Sequence, residues 1–360
     1  KLILKHGLAG RRWLHLLLVL LISMVENLKM ILNSNLLEKM CAAYGPSGRE
    51  HRIRQMIAEE IKDYADDIKE DAIGNLIVHK TGKGRKIAVT AHMDQIGFML
   101  RSVDDKGRFR VLPLGSIKPL NMIDTRVRTE TGEQGVVLCE KKSADTTVSC
   151  DDLYIEFGMN PKKADSLDSF RGQEIVIKAD YYENEEFIIS GALDDRIGCF
   201  ILAEVMKKIK SCRNDMYFIF SVQEENGFQG IQSAISAVEP DLLLAVDVTC
   251  SNEELRGMKT DTSVGKGAAL KVMDHFMIVC QEVIEWLKMT ASENGIPYQL
   301  DISDHGGTDA CKAQRYQGVK AGAVCVPAKN IHSGNEIVSK SDVAACLELI
   351  QAISDTEINF

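Results

Sequence analysis

Four short, nearly unbroken apolar runs constrain this chain most: KIAVTAH at residues 86–92, MYFIFSV at 216–222, LLLAVDV at 242–248 and KAGAVCVP at 320–327. Each has the length of a strand rather than a helix, and continuous apolarity marks a strand buried on both faces. Helical periodicity surrounds them. Residues 35–63 carry Leu36, Leu37, Met40 and Cys41, then Ile53, Met56, Ile57 and Ile61, at helix spacing. AYGPSGRE interrupts that pattern with Gly45, Pro46 and Gly48. Further helices are predicted after Asp194, after Gly227, over residues 275–294 and from Ser341 onward. NLIVHK, ahead of the TGKGR turn, reads as another strand. Strands alternating with helices define an α/β domain.

Residues 98–187 break this rhythm. GRFRVLPLG, TRVRTETGEQGVVLCE and GQEIVIKAD are short alternating strands separated by turns, with almost no helix pattern. They predict an all-β unit inserted into the α/β domain, which then comprises residues 31–97 and 188–360.

Composition narrows the function. A chain of 360 residues with 45% apolar content can build a sizeable core and carry such an insertion. A net charge of −9 argues against nucleic acid or an anionic membrane as the main partner. The ten cysteines are scattered without a CxxC pair, which fits reduced core thiols in a cytoplasmic enzyme. At the N-terminus, Lys1, Lys5, Arg11 and Arg12 precede an apolar run from Leu16 to Ile22. The run resembles part of a signal peptide but lacks a small-x-small cleavage site, and a membrane span needs roughly 20 apolar residues. Met24 and Met30 are both plausible starts, so the favoured expectation is an upstream extension of the reading frame, with a signal peptide as the second. Residues 1–30 are expected to lie outside the fold.

The apolar runs deliver chemistry at their ends. His92 and Asp94 close the first in AHMDQIGF; Asp194 and Asp195 stand in SGALDDRIG; Glu224 and Glu225 follow MYFIFSV; Asp247 lies in LLLAVDV; His332 follows KAGAVCVP, with Ser333 and Glu336 nearby. Strand ends of an α/β sheet are where sites assemble. Taken singly, each has a bland explanation: a hydrogen-bonded histidine, a helix cap at Asp194-Asp195, a solvated loop at Glu224-Glu225. Together they supply oxygen and nitrogen donors for two divalent metals plus a free carboxylate, the requirements of metal-assisted hydrolysis. Asp94, two residues after His92, is placed to receive the other ring N–H of a ligating histidine. Which of Glu224 and Glu225 is the base is open at this level.

In content and order the chain resembles the tetrahedral aminopeptidases, a family also labelled glutamyl aminopeptidase, deblocking aminopeptidase or endoglucanase-like, within the clan MH dinuclear metallopeptidases. The resemblance runs from about Asn35 to the C-terminus through AYGPSGRE, AHMDQIGF, ALDDRIG, QEENGFQG, AVDVT, GKGAALKVMD, GGTDA at 306–310 and IHSGNEIV. It implies a mixed-sheet α/β/α catalytic domain of the zinc aminopeptidase type with an inserted small β-barrel that mediates dimerisation and helps build a dodecamer. It further implies that His92, Asp194 and Asp247 hold one metal, and Asp194, Glu225 and His332 the other. Glu224 would be the general base, Asp94 would orient His92, and Thr308 and Asp309 would lie near the site. The chain departs from the family pattern at Asn226, at His275 after Asp274, and at Glu140-Lys141-Lys142 in the insertion.

The function expected from this is removal of N-terminal residues from short peptides, with two divalent ions per subunit, Zn or Co first and Mn as a further candidate. A related dinuclear deacylase or carboxypeptidase fits the motif order less well. A polysaccharide hydrolase, which works with two carboxylates and no metal, would leave the histidines unused. A non-catalytic assembly protein with a relict site is disfavoured by the intact donors.

Overall fold

The computed structural model describes residues 35–141, 147–158, 170–251 and 261–360. The expected N-terminal extension and Lys142 of the Glu140-Lys141-Lys142 departure lie outside the described residues.

The described residues begin with two helices, α1 (Asn35–Ala42) and α2 (His51–Ile61), the second burying Ile53, Ile57 and Ile61 as one stripe at four-residue spacing. Strands β1 (Asp67–Glu70), β2 (Leu76–Lys80) and β3 (Lys86–His92) follow. The insertion then begins. β4 (Gly97–Val103), β5 (Phe109–Leu114), the single-turn α3 (Pro119–Met122), β6 (Arg126–Arg128), β7 (Gln134–Cys139), β8 (Leu153–Glu156) and β9 (Glu174–Ile177) make it up. Its six strands close into a barrel in the order β4-β5-β8-β7-β6-β9. Phe98, Phe109, Val127, Val137, Ile155 and Ile175 fill its interior, alternate residues pointing inward as strand geometry requires. Closure gives each of these six strands two neighbours, so among the described residues no barrel strand stands at the end of an open sheet.

The chain returns through β10 (Tyr182–Glu183) and β11 (Phe187–Ser190). This hairpin straddles residue 187, where the sequence texture ended the insertion, and it joins the large sheet beside a later strand, β17 (Glu336–Ser339). The remaining strands are β12 (Asp215–Ser221), β13 (Leu242–Cys250), β14 (Ala268–Met273), β15 (Tyr298–Ile302) and β16 (Lys320–Lys329). They complete an 11-stranded mixed sheet whose main path is β1-β2-β12-β3-β13-β16-β17-β11-β10. Its centre is parallel: β3 pairs with β12 and β13, and β13 with β16. The four apolar runs of the sequence are these four strands.

Five helices flank the sheet: α4 (Leu193–Lys208), α5 (Gln229–Val238), α6 (Gln281–Glu293), α7 (Ala310–Gln317) and α8 (Lys340–Ile353). α4 packs on β3 and β13 and against α8, while α5 packs on β12 and against α7, giving the α/β/α layering. The helix expected over residues 275–294 starts only at Gln281. Asp274 accepts the backbone N–H groups of Phe276 and Met277, each at 2.7 Å, and a Met273–Ile278 bridge turns the chain back before the helix begins. Among the described residues, no helix is long and apolar enough to cross a membrane.

Candidate metal centre

The parallel register sets the C-terminal end of β3 beside those of its neighbours: His92 is level with Ser221 of β12, and Thr90 with Ala245 of β13. His92, Asp94, Asp194, Glu224 and Asp247, spread along the sequence, are brought together there and buried. Glu225 and His332 join them.

Asp194 is the centre of the arrangement. Its Oδ1 lies 3.0 Å from His92 Nε2 and its Oδ2 lies 3.3 Å from His332 Nε2. Glu225 Oε1 lies 3.1 Å from the same His332 nitrogen, and Asp247 Oδ1 lies 3.9 Å from His92 Nε2. The histidines are oriented from behind. His92 Nδ1 meets the backbone carbonyl of Asp94 at 3.1 Å, and His332 Nδ1 meets that of Ser116 at 2.8 Å. A carbonyl only accepts, so each Nδ1 carries a proton, and each ring turns its Nε2 toward the carboxylates. The carboxylates of Asp194, Glu225 and Asp247 thus crowd two histidine rings. Glu225 Oε1 is buried without a hydrogen bond. Such a convergence is costly unless a cation sits among the donors, and nitrogen and oxygen donors suit divalent ions such as Zn, Co or Mn.

Two overlapping triads have ligand atoms within 4.8 Å of one another: His92, Asp194 and Glu225, and His92, Asp195 and Asp247. The adjacent aspartates differ in their engagement. Asp195 already uses both oxygens, accepting the N–H of His92 at 3.1 Å and of Gly198 at 3.0 Å. A Cβ at Gly198 would stand 2.4 Å from those oxygens, so glycine is needed there. Asp194 keeps its oxygens aimed at the two histidines.

The charge balance agrees. Burial pushes Glu224 well above the usual carboxylate range; the His92 imidazole opposes this, and the Asp247 and Glu225 carboxylates add to it. Burial, offset in part by His92 and reinforced by Asp194, pushes Asp247 up to about 8. Asp194 goes the other way: burial would raise it, but hydrogen bonds from His332 and His92 hold it below the ordinary range. For His332, burial opposes protonation, yet Glu225 and Asp194 outweigh it and hold its pKa well above the ordinary value. The site holds more negative charge than its histidines neutralise.

Asp94 does more than the sequence suggested. Its carboxylate stands 3.5 Å from His92 Nδ1, but its hydrogen bonds go elsewhere. Oδ1 accepts the N–H of Glu224 at 2.9 Å; Oδ2 accepts that of Glu225 at 3.2 Å and the Ser47 hydroxyl at 2.6 Å. Glu50 Oε1 accepts the N–H of Gln223 at 3.1 Å. The three successive amides of the turn carrying Glu224 and Glu225 are therefore each held by a carboxylate. Asp309 sits behind the strands, its Oδ2 accepting Thr90 Oγ1 at 3.1 Å and Ser221 Oγ at 2.5 Å, and Thr308 is buried beside it. The insertion reaches the site as well: Ser116 holds His332, and a Cβ on Gly115 would meet Glu225 Oε2 at 2.9 Å. Ser47, Glu50 and Glu336 were not singled out from sequence as site residues. Their only signal was membership of the motifs AYGPSGRE and IHSGNEIV.

Fold and centre together define a metal-dependent hydrolase of the α/β/α type. A profile of the M42 glutamyl aminopeptidase family matches residues 74–349, and the chain belongs to that family. It is 36% identical over 318 residues to a putative aminopeptidase of Acetivibrio thermocellus, covering 88% of this chain and 96% of the relative. An aminopeptidase structure from Desulfurococcus kamchatkensis superposes with a TM-score of 0.83 at 30% identity, covering 90% of this chain and 94% of the other. A Pyrococcus horikoshii TET1 peptidase, described as able to assemble into a tetrahedron or a large octahedral shell, superposes with a TM-score of 0.80 at 31% identity, covering 89% and 98%. The chain is a metal-dependent aminopeptidase acting on peptides.

Proposed function

We propose that this enzyme removes N-terminal residues from short peptides with a shared-carboxylate pair of divalent cations. His92, Asp194 and Asp247 would hold one, and Asp194, Glu225 and His332 the other. The observation carrying this reading is Asp194, whose two carboxylate oxygens face two different histidine nitrogens at 3.0 and 3.3 Å. When bound, such a pair supplies Lewis-acid polarisation of the scissile carbonyl and acidifies the attacking water. Glu224 takes the proton from that water and delivers it to the departing amine. Its backbone is held by Asp94, and its carboxylate lies 4.0 Å from His92 Nε2. Glu225, one residue on, turns toward His332 instead, which separates the two roles. Asp94 orients His92 through its backbone carbonyl and the base through its carboxylate.

Zn and Co are the favoured cations, with Mn as a further candidate. The reading extends to the cytoplasm as the working compartment and to dimers that build a dodecamer; the assembly is supported by the likeness to peptidases described as a dodecamer and as able to assemble into a tetrahedron. A panel of amino-acid p-nitroanilides, assayed on metal-stripped protein with Zn, Co or Mn restored, tests the activity. Hydrolysis of blocked amino acids with none of the anilides would point instead to a deacylase.

A further inference from the structure

Glu336 opens β17 and is 2% exposed. Its Oε2 accepts the backbone N–H of Asp194 at 3.0 Å, and its Oε1 accepts that of His332 at 2.9 Å. One carboxylate thus ties together two distant stretches of backbone. One carries the carboxylate that faces both histidines; the other carries one of those histidines. His332 has a φ of +62°, a left-handed conformation that a non-glycine side chain adopts only when its surroundings hold it there. The Glu336 oxygen is bonded to the amide of that residue.

We propose that Glu336 is a positioning residue: by holding the amides of Asp194 and His332 at a set separation, it spaces their side chains for the cation pair. This rests on reading the cluster as a two-cation site. The chemistry of the side chain fits the task. A carboxylate offers two acceptor oxygens and no donor, matching two N–H groups. A carboxamide of the same shape would offer an acceptor to one amide and a donor to the other. The same device recurs across the cluster, where the two oxygens of Asp94 take the amides of Glu224 and Glu225. Asp94 and Glu336 together hold the backbones of Glu224, Glu225, Asp194 and His332. Residues that support ligands in this way alter metal affinity by about 10–100-fold when replaced.

The test compares Glu336→Gln with wild type by calorimetric titration of metal-stripped protein with Co²⁺ or Zn²⁺ alone, alongside thermal unfolding of the stripped proteins and steady-state kinetics after loading. Val338→Ala, two residues along the same strand at a fully buried apolar position, is the matched control. Glu336→Gln is expected to weaken one of the two cations by about 10–100-fold and to lower kcat with little change in KM. Val338→Ala is expected to lower the unfolding midpoint while leaving both affinities at wild-type values. Wild-type affinities in Glu336→Gln would overturn the proposal. So would an equal loss of affinity in Val338→Ala, because the role would then be one of strand stability alone. Wild-type protein that binds fewer than two cations would overturn the site reading itself, and this inference with it.

Discussion

Asp94 Oδ1 accepts the backbone N–H of Glu224 at 2.9 Å. The bond fixes the main chain of the proposed base without engaging its carboxylate. Glu224→Gln should therefore keep the turn, the metals and the fold, and lose turnover by about 10²–10⁴-fold. Metal content by mass spectrometry and kcat on an amino-acid p-nitroanilide check this. Glu225→Gln should weaken one cation instead. If Glu224→Gln stays active while Glu225→Gln retains both metals and dies, the two roles are exchanged.

Metal removal should abolish activity, and two equivalents of cation per chain should restore it. Two-metal sites place their ions roughly 3.5–4 Å apart, and Asp194 should contact both. Asp194→Asn keeps one oxygen and replaces the other with an amide, so it should lower the stoichiometry below two. A metal-loaded crystal structure in which Asp194 touches neither ion would remove the shared-carboxylate reading.

Arg196, immediately after the paired aspartates, is fully buried and ties the N-terminal helices to α4. It donates to the carbonyls of Met40, Ala43 and Gly45 and to Gln95 Oε1. Arg196→Met fills comparable space but strands those acceptors, each worth about 1–3 kcal/mol when left unsatisfied in the interior. Urea unfolding should show a loss on the order of 3 kcal/mol. An unchanged midpoint would mean that water reaches these carbonyls.

Lys271 of β14 and Asp301 of β15 form a buried pair, Nζ to Oδ2 2.5 Å, with Nζ also donating to Thr249 Oγ1 at 2.9 Å. Burial opposes protonation of Lys271, but Cys325 and Asp301 outweigh it and hold its pKa above the ordinary lysine value. A raised lysine pKa contributes stability that is fully present below about pH 10.4, the unfolded value, and is lost as pH rises through the folded one. Lys271→Met should cost about 3–5 kcal/mol at neutral pH by leaving Asp301 buried without a cation. Urea midpoints of wild type and Lys271→Met at pH 7 check the loss.

Legibility followed burial. β3, β12, β13 and β16 were readable because strands at the centre of a parallel sheet are apolar throughout, and an acid or histidine at their ends has no bland role when several coincide. β1 was not readable: DIKE is an edge strand with a mostly exposed, charged sequence. β14 and β15 were hidden because Lys271 and Asp301 place charges inside strands and mask the pattern. The helix over 275–294 was overextended because Asp274 diverts the chain through backbone hydrogen bonds that periodicity does not register. Glu50 and Glu336 were visible as acids, but their work lies in accepting amides from distant segments, which only the folded chain brings within reach.

The barrel bears on assembly. Unpaired strand edges would have been one reason for the insertion to seek a partner, but closure into six strands removes that reason. Association would have to use side-chain surfaces. Among the described residues of the barrel segment the exposed large apolar ones are Leu112 and Leu120, while the catalytic domain exposes Phe276, Ile278, Leu300 and Ile302 around β14 and β15. The expected outcome from light scattering is an oligomer, a dimer at least and a dodecamer in the full assembly. Leu120→Asp should weaken the dimer if the barrel mediates it, whereas Ile278→Asp should affect a contact of the catalytic domain. A monomer with full peptidase activity would contradict the assembly. Dimers unaffected by Leu120→Asp but dissociated by Ile278→Asp would move the interface from the insertion to the sheet edge.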